Sequence, residues 1–517
     1  MRTILKYMYV LCMLLLLGGC VKDDTVDKFK ELNKVSLDAL QEKYSVMLYN
    51  YLKIPLTVQT SQNDESHLSY MWYLYTTTTR DEADTLSREK DLNVLIDPSH
   101  ATPGEDYTLT VKVTDETTGV YYRKEMKLEV TTQFTKGTVL LCNEDGEAEL
   151  NFLTTDSERK LIENIYSRAN GGKVVGKNPR RIFSVNPNAY ASQMKQELIF
   201  CQDENGGMIG NPVSFEAMKT MRSAFATDLG GGDLNPQLYF KGRMIDYIII
   251  NGVVCKRAVN MQILDWDAPL VCTQGAGDYE VAPFVMEVDG VQTFYDRKHK
   301  RLLQHYRWNM GGLHQMDTEG ADLSKFDCNN MGENMEMECC GKLSEENSFW
   351  MLMRNSQTQK LYVYKFRISD DKFISVLRTE VTPQVAPHIY NAVSFAANND
   401  FSDILMYAVG KQVYSLSLNM LDGNTSSLLE APQVDLTDKN MEITGLKFVT
   451  INIETDAPGV TRPSMQLRLC VKDLNRTTLK GGVVFYEVNS QGGIHSDFLF
   501  SKTGFCDEVV DIDEKYS

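Results

Sequence analysis

The sequence predicts an all-β protein, an N-terminal antiparallel β-sandwich followed by a larger β-propeller-like domain. Three observations carry this reading. Period-two apolar runs bounded by turn residues recur along the chain, Asn-Gly and Asp-Gly links join several of them, and only two short stretches show helical spacing. At 517 residues, with 43% hydrophobic and 24% charged residues, the chain has an ordinary globular composition and room for a sizeable core.

The chain opens with what reads as a lipoprotein signal peptide over residues 1–19. Arg2 and Lys6 give a positive start, and the apolar stretch Tyr7 to Leu17 ends in Leu17-Gly18-Gly19-Cys20. That stretch is too short for a hydrocarbon core, which takes about 20 residues to cross. Small residues before a cysteine suit a peptidase pocket, and the Cys20 sulfur is the nucleophile that takes the lipid. Acyl chains contribute about 0.8 kcal/mol per buried CH₂, and more than one chain makes anchoring stable. The expectation is lipidation at Cys20 and a membrane anchor that does not span. An ordinary secretory signal with an incidental cysteine is the alternative. Residues 20–33, polar and charged, read as a lipidated tether.

Residues 34–132 read as the sandwich. Ile54 to Val58, Tyr70 to Leu74 and Leu92 to Ile96 alternate, Tyr107 to Asp115 does so strictly, and Tyr121 to Val130 returns across Thr117-Thr118-Gly119. Trp72, taken as lying on the third strand, is the expected core plug. Leu40 to Leu52 fits an amphipathic helix by spacing and strands by context; strands are the preferred reading.

Residues 135–517 read as the propeller-like domain. Asp246 to Ile250 meets Val253 to Lys256 across Asn251-Gly252, and Phe284 to Val288 meets Val291 to Tyr295 across Asp289-Gly290. Both links suit type I′ turns, which need positive φ at two successive residues. Further pairs are Trp350 to Arg354 with Leu361 to Ile368, Ile404 to Val409 with Gln412 to Leu418, and Leu467 to Val471 with Val483 to Val488. Six to eight blades of roughly 45–55 residues fit this length, with two successive sandwiches as the alternative. Asp156 to Arg168 and Ser214 to Ala226 read as helical insertions. Val509 to Asp513 is placed to seal the ring.

Chemistry is sparse. The formal charge of −17 falls to −19 when Arg2 and Lys6 leave with the signal. A surface this acidic repels phosphate backbones, so no nucleic-acid partner is expected. No zinc spacing, P-loop, nucleophile elbow or complete calcium loop is present, and neither a metal nor a cofactor is expected. Asn143 to Gly146 and Gln202 to Gly207 read as plain turns. Cys142, Cys201, Cys255 and Cys470 read as buried hydrophobes, while Cys328, Cys339 and Cys340 fall in a polar loop that could hold a disulfide. Gly230-Gly231-Gly232 reads as a flexible loop and Met331 to Met337 as a mobile Met-rich insertion. His299, His305 and His314 surround Trp308; basic neighbours favour a solvated hairpin over a metal site. Asp265-Trp266-Asp267 is the one suggestive ligand-binding group, because a tryptophan face stacks on sugar rings and carboxylates accept hydroxyl hydrogen bonds. As neighbours on a strand, however, these side chains alternate in direction.

Leu17-Gly18-Gly19-Cys20, the Y-x-L-x-V-x-V-x-D strand from Tyr107 to Asp115 and the ending Phe500 to Phe505 before Val509 to Asp513 together resemble a PKD-like family lipoprotein of Bacteroidota. The first domain would then be an Ig/PKD-like sandwich. The acidic Val21-Lys22-Asp23-Asp24 resembles the export tag of surface lipoproteins in that phylum; a solvated tether is the plainer reading. Where such sandwiches usually carry an Asp-Gly turn after the tryptophan, Trp72 is followed by Tyr73-Leu74-Tyr75-Thr76. The resemblance implies a non-catalytic accessory of a SusC/SusD-like TonB-dependent nutrient-uptake pair, displayed on the outer membrane and binding or passing on a glycan or peptide. It brings no catalytic motif. The alternative is a surface propeller hydrolase of glycosidase type, with acids converging from separate blades.

Overall fold

The computed structural model describes residues 32–37, 39–77, 82–155, 159–185, 195–242, 244–259, 265–273, 277–306, 311–369, 372–397, 403–422, 431–454, 461–489 and 492–515. Cys20, Val21 to Asp24, Asp156 and Trp308 lie outside them. The chain divides into two compact units after Thr131. Among the described residues no helix is long and apolar enough to cross a membrane.

The first unit is a sandwich. Its five-stranded sheet runs Lys43–Met47, Tyr121–Thr131, Asp106–Asp115, Leu68–Tyr75, Asp84–Ser87, antiparallel except for the parallel first pair. The pairs Tyr51–Ile54 with Leu92–Leu95 and Val35–Ser36 with Gln59–Thr60 contribute to the same core. Alternation does the sorting: in Tyr121–Thr131, Met126, Leu128 and Val130 are buried while Glu125, Lys127 and Glu129 face water. The turn between the two longest strands is held by Asp115, whose Oδ1 accepts from Thr117 N at 2.9 Å, and by Gly119 at φ 72. Trp72 is fully buried as expected, its indole N–H donating to Lys90 O at 3.2 Å. It lies on the fifth strand in chain order rather than the third, because residues 35–60 form four short strands. The preferred strand reading of 40–52 holds. The strand before Pro55 stops at Ile54, since proline has no N–H to give, yet Leu56 and Val58 still point into the core.

The second unit is a ring of seven sheets among the described residues. Blade II begins with Pro179–Val185, blade III with Pro236–Phe240, blade IV with Met286–Val288, blade V with Met335–Lys342, blade VI with Ser394–Ala397 and blade VII with Met441–Glu454. Each then continues outward by antiparallel hairpins. Blade I is assembled from both ends of the unit: the C-terminal Glu508–Lys515 pairs with Gly137–Glu144, which leads out to Glu147–Thr154 and Leu161–Ile162. The last strand therefore seals the ring, as its sequence suggested. The two expected turns are present, with Asn251 and Gly252 at φ 51 and 76 and Asp289 and Gly290 at φ 49 and 81.

Every joint between blades carries a hydrogen bond. Arg468 of blade VII reaches Glu514 (2.6 Å) and Thr138 (3.1 Å) of blade I, and Lys515 reaches Glu197 of blade II at 3.0 Å. Arg257 of blade III donates to Gln196 of blade II at 2.9 Å, and Tyr247 of blade III to Gln292 of blade IV at 2.8 Å. The Tyr295 hydroxyl of blade IV donates to Met335 O of blade V (2.5 Å), and Ser344 of blade V to Asp403 of blade VI (2.7 Å). Leu446 N of blade VII donates to Ser394 Oγ of blade VI at 3.0 Å.

Several local expectations fail here. Of the stretch 156–168 the described residues 159–168, and likewise 214–226, do not form the expected helical insertions. Asn164 at φ 58 confines a helix to Ile165–Ala169, and Phe215 at φ 61 precedes Ala217–Thr220, a strand paired with Gly207–Gly210. Sheet pairing overrides the 3.6-residue spacing. Met331, Met335 and Met337 are no insertion; they fill the core around Phe349 and Tyr364, a use that suits an unbranched side chain. Cys339 and Cys340 sit on strand Met335–Lys342, and with the buried Cys328 they are free thiols. Gly230-Gly231-Gly232 is pinned, since Arg222 donates to the carbonyls of Gly230 (2.6 Å) and Gly232 (2.5 Å).

Candidate functional site

The inner strands of the ring start at one end of its channel, where the chain enters each blade. Around blades VII, I and II this end opens into a cavity of about 320 Å³. Blade I brings Asn143 and Glu508, blade II brings Asn178 and Arg180, and blade VII brings Thr444. Each is presented by a break in regular structure. Thr444 sits at a bulge between Ile443 and Gly445, Asn178 has φ 53, and Asn143 is the last but one residue of its strand, beside the Asp145-Gly146 turn. Arg180 bonds Gln202, and Glu508 pairs with Lys472 at 2.9 Å. The Thr444 hydroxyl is buried and has no partner among the described residues. The mouth thus offers amides, a hydroxyl and one charge of each sign, a set suited to hydrogen-bonding a polar ligand.

Below the mouth, the closing strand aims two acids at neighbouring inner strands. Asp511 Oδ2 accepts from Ile182 N at 3.0 Å and Asp513 Oδ2 from Ser184 N at 2.7 Å. From the other side, Lys447 of blade VII lies 3.0 Å from Asp513 and 3.7 Å from Asp511. Burial alone would push the Lys447 ammonium down; Asp511 and Asp513 outweigh it and hold its pKa above the ordinary lysine value. Both carboxylates are thus engaged from two sides and tie blade VII to blade II through blade I. The i, i+2 spacing of Asp511 and Asp513 was visible in the sequence. Lys447, Arg180 and Thr444 carried no signal, because their surroundings come from other strands that no local pattern identifies.

The residues singled out in the sequence fall elsewhere. Trp266 is fully buried between Phe225 and Tyr239, with the Arg257 guanidinium 4.3 Å from its ring centre. Its ring faces are covered, while Asp265 and Asp267 are exposed and Asp265 pairs with Lys219. Trp266 makes an isolated bridge to Phe225 and turns inward, while both flanking acids face solvent. The three histidines do not converge: His299 pairs with Asp278 at 2.9 Å, His314 lies 2.8 Å from Thr273 Oγ1, and His305 is wholly buried rather than on a solvated hairpin. Asp203 holds its loop as a plain turn, its Oδ1 accepting from Asn205 N at 2.9 Å. Among the described residues no group of His, Cys, Asp or Glu could hold a metal ion.

Residues 20–179 match the PKD-like family. The PKD-like match begins at Cys20, spans the sandwich and ends where blade II begins. No curated protein matches the chain. Among solved structures, a quinonprotein alcohol dehydrogenase-like protein from Bacteroides thetaiotaomicron aligns over 94% of this chain and 99% of its own, at 12% identity and a TM-score of 0.51. A protein from Lactobacillus plantarum aligns over 73% of this chain and 99% of its own, at 10% identity and a TM-score of 0.40. At such identities the first likeness is one of fold, and it agrees with a PKD-like region followed by a propeller-like ring.

Proposed function

We propose that this protein is a non-catalytic lipoprotein of the outer-membrane surface, anchored through Cys20, which binds a glycan or peptide for a SusC/SusD-like TonB-dependent uptake system. The observation that carries the binding role is the polar mouth between blades VII, I and II, with Asn143, Asn178, Arg180, Thr444 and Glu508 around about 320 Å³. Small-ligand sites combine a concave space with a few placed polar groups. Hydrolysis of glycosidase type needs a pair of carboxylates free to act as acid and base or nucleophile. The engagement of Asp511 and Asp513 with Lys447 and backbone amides favours binding over that alternative. The Leu-Gly-Gly-Cys signal and the acidic residues after it support surface display.

The test is calorimetric titration of the chain lacking residues 1–20 against panels of glycans and short peptides. Binding should weaken at least about ten-fold in Arg180→Ala/Asn178→Ala, a loss of roughly 1.4 kcal/mol, and be unchanged in Asp265→Asn/Asp267→Asn. Equal affinity in all three proteins would rule out the mouth. For the anchor, Cys20→Ala should abolish surface labelling of cells, and the lipidated protein should co-purify with importer subunits.

A further inference from the structure

Three adjacent inner strands bulge where they enter the ring. In blade II, Pro179 faces Cys201 and Arg181 faces Phe200, which leaves Arg180 as an extra residue. On the closing strand Val509 faces Cys142 and Asp511 faces Leu141, so Val510 is extra. In blade VII, Thr444 is extra between Ile443 and Gly445. An extra residue bends its strand and re-aims its own side chain. All three line the one cavity at the mouth. The charges around that cavity do not cancel. Glu508 is met by Lys472 at 2.9 Å. Arg180 is held by the side-chain oxygen of Gln202, a neutral partner, and makes no ion pair among the described residues. Two uncharged donors stand with it. Asn143 spends its oxygen on Gly146 N at 2.9 Å and keeps its N–H groups, and the buried Thr444 hydroxyl has no partner among the described residues. In a chain of formal charge −17, the mouth is thus lined by one unneutralised cation and two donors.

We propose that the mouth takes the carboxylate of a short peptide, with Arg180 as the residue that selects it. The inference rests on the binding role proposed above and names a ligand for it. A guanidinium presents paired N–H donors that match the two oxygens of a carboxylate. One uncompensated positive charge balances a monoanion, whereas a phosphate monoester brings about 1.5 to 2 negative charges. A uronic acid also carries a carboxylate, but sugar rings bind by stacking on aromatic faces, and no residue lining the cavity is aromatic. A peptide finds what it needs instead. Asn178 gives its N–H to Gln202 O at 3.2 Å and keeps its side-chain oxygen for a peptide N–H, while Pro179, Val509 and Val510 supply apolar wall.

The experiment titrates the chain lacking residues 1–20 with N-acetyl tripeptides, each as the free acid and as the carboxamide, and with trigalacturonate. The acids should bind at least about ten-fold tighter than their amides. Arg180→Gln, a change at an exposed side chain, should bring the two within about three-fold by weakening the acids alone. An unchanged preference for acids in Arg180→Gln would overturn the role of Arg180. Trigalacturonate binding tighter than every peptide acid would overturn the peptide as the source of the carboxylate. Equal binding of acids and amides, lost in Arg180→Ala/Asn178→Ala, would overturn the carboxylate and leave the mouth standing as a binding site. No binding of any probe at the mouth would overturn both.

Discussion

The sandwich and the ring treat charge differently. Among the described residues, the sandwich's ion pairs, such as Lys43–Glu129 and Lys127–Asp106, lie in water and its interior is a single apolar core. The ring buries Arg257–Asp246 and Arg301–Asp296 within blades III and IV, and Arg468–Glu514 and Lys515–Glu197 across the joints of blade I. The topologies explain the contrast. A sandwich closes when two faces meet, and period-two alternation specifies which faces those are. A ring of blades with similar apolar faces must also choose which blade meets which, and apolar surface alone chooses poorly. Burying a charge costs several kcal/mol unless its partner arrives, so a buried pair penalises the wrong neighbour. The charged pairs of adjacent Glu514 and Lys515 hold the last strand to blade VII on one side and blade II on the other.

Removing residues 508–517 is the severest test. Blade I then loses its inner strand and Arg468 and Glu197 lose their partners at once. The ring should fail to fold cooperatively while the sandwich persists, read as a protease-resistant fragment ending near Thr131 and a calorimetric transition reduced to the smaller unit. A ring that unfolds at its usual temperature without this strand would end the argument. Next comes Glu514→Gln. Stranding Arg468, whose side chain is 2% exposed, should cost about 3–5 kcal/mol in urea unfolding. The pair Arg468→Met/Glu514→Leu should recover most of that loss, because it removes the desolvated charges together. If the double variant is as unstable as the single one, the pair contributes stability directly and the specificity argument fails. A matching change in the sandwich, Lys43→Met, should move stability by less than about 1 kcal/mol.

The same contrast decides what could be read in advance. Hairpins announced themselves, because Asn251-Gly252 and Asp289-Gly290 act through local φ preferences and their strands through alternation. Val509 to Asp513 was legible as a closing strand for the same reason. What surrounds it was not. Lys447, Arg468 and Glu197 stand out in no local pattern until the ring brings them to the last strand, from as near as 46 and 66 positions away for Arg468 and Lys447. Trp266 misled in the opposite way: its acidic neighbours suggested a binding surface, but Arg257 and Tyr239 cover its ring. Cys339, Cys340 and Met335 looked like loop because their run is polar. Its alternation, with Met335, Met337 and Cys339 inward, runs unbroken through a register shift next to Glu338, and the intervening glutamates disguised it.

The mildest prediction concerns a joint where the buried group is neutral. His305 of blade IV is wholly buried; its Nε2 faces Gly311 O at 3.2 Å and its Nδ1 lies 2.9 Å from the Tyr247 hydroxyl of blade III. Loss of hydration, aided by the nearby Lys256 and His314 charges, lowers its pKa from 6.5 to about 4. The unfolded chain therefore takes up a proton below about pH 6.5 that the folded ring refuses until about pH 4. Between those values the unfolded state binds more protons, so stability falls as pH falls, by up to about 3 kcal/mol for this group. Urea midpoints followed by ring-specific probes should drop across that window, and the drop should flatten in His305→Gln, which keeps a donor for Gly311 and loses the titration. The sandwich buries no histidine among its described residues: His67 is exposed and His100 is partly so, beside Asp84. Its own unfolding should therefore lack this slope. Acid sensitivity confined to the ring would show that the joints, and not the apolar cores that the two units share, are where their stabilities part.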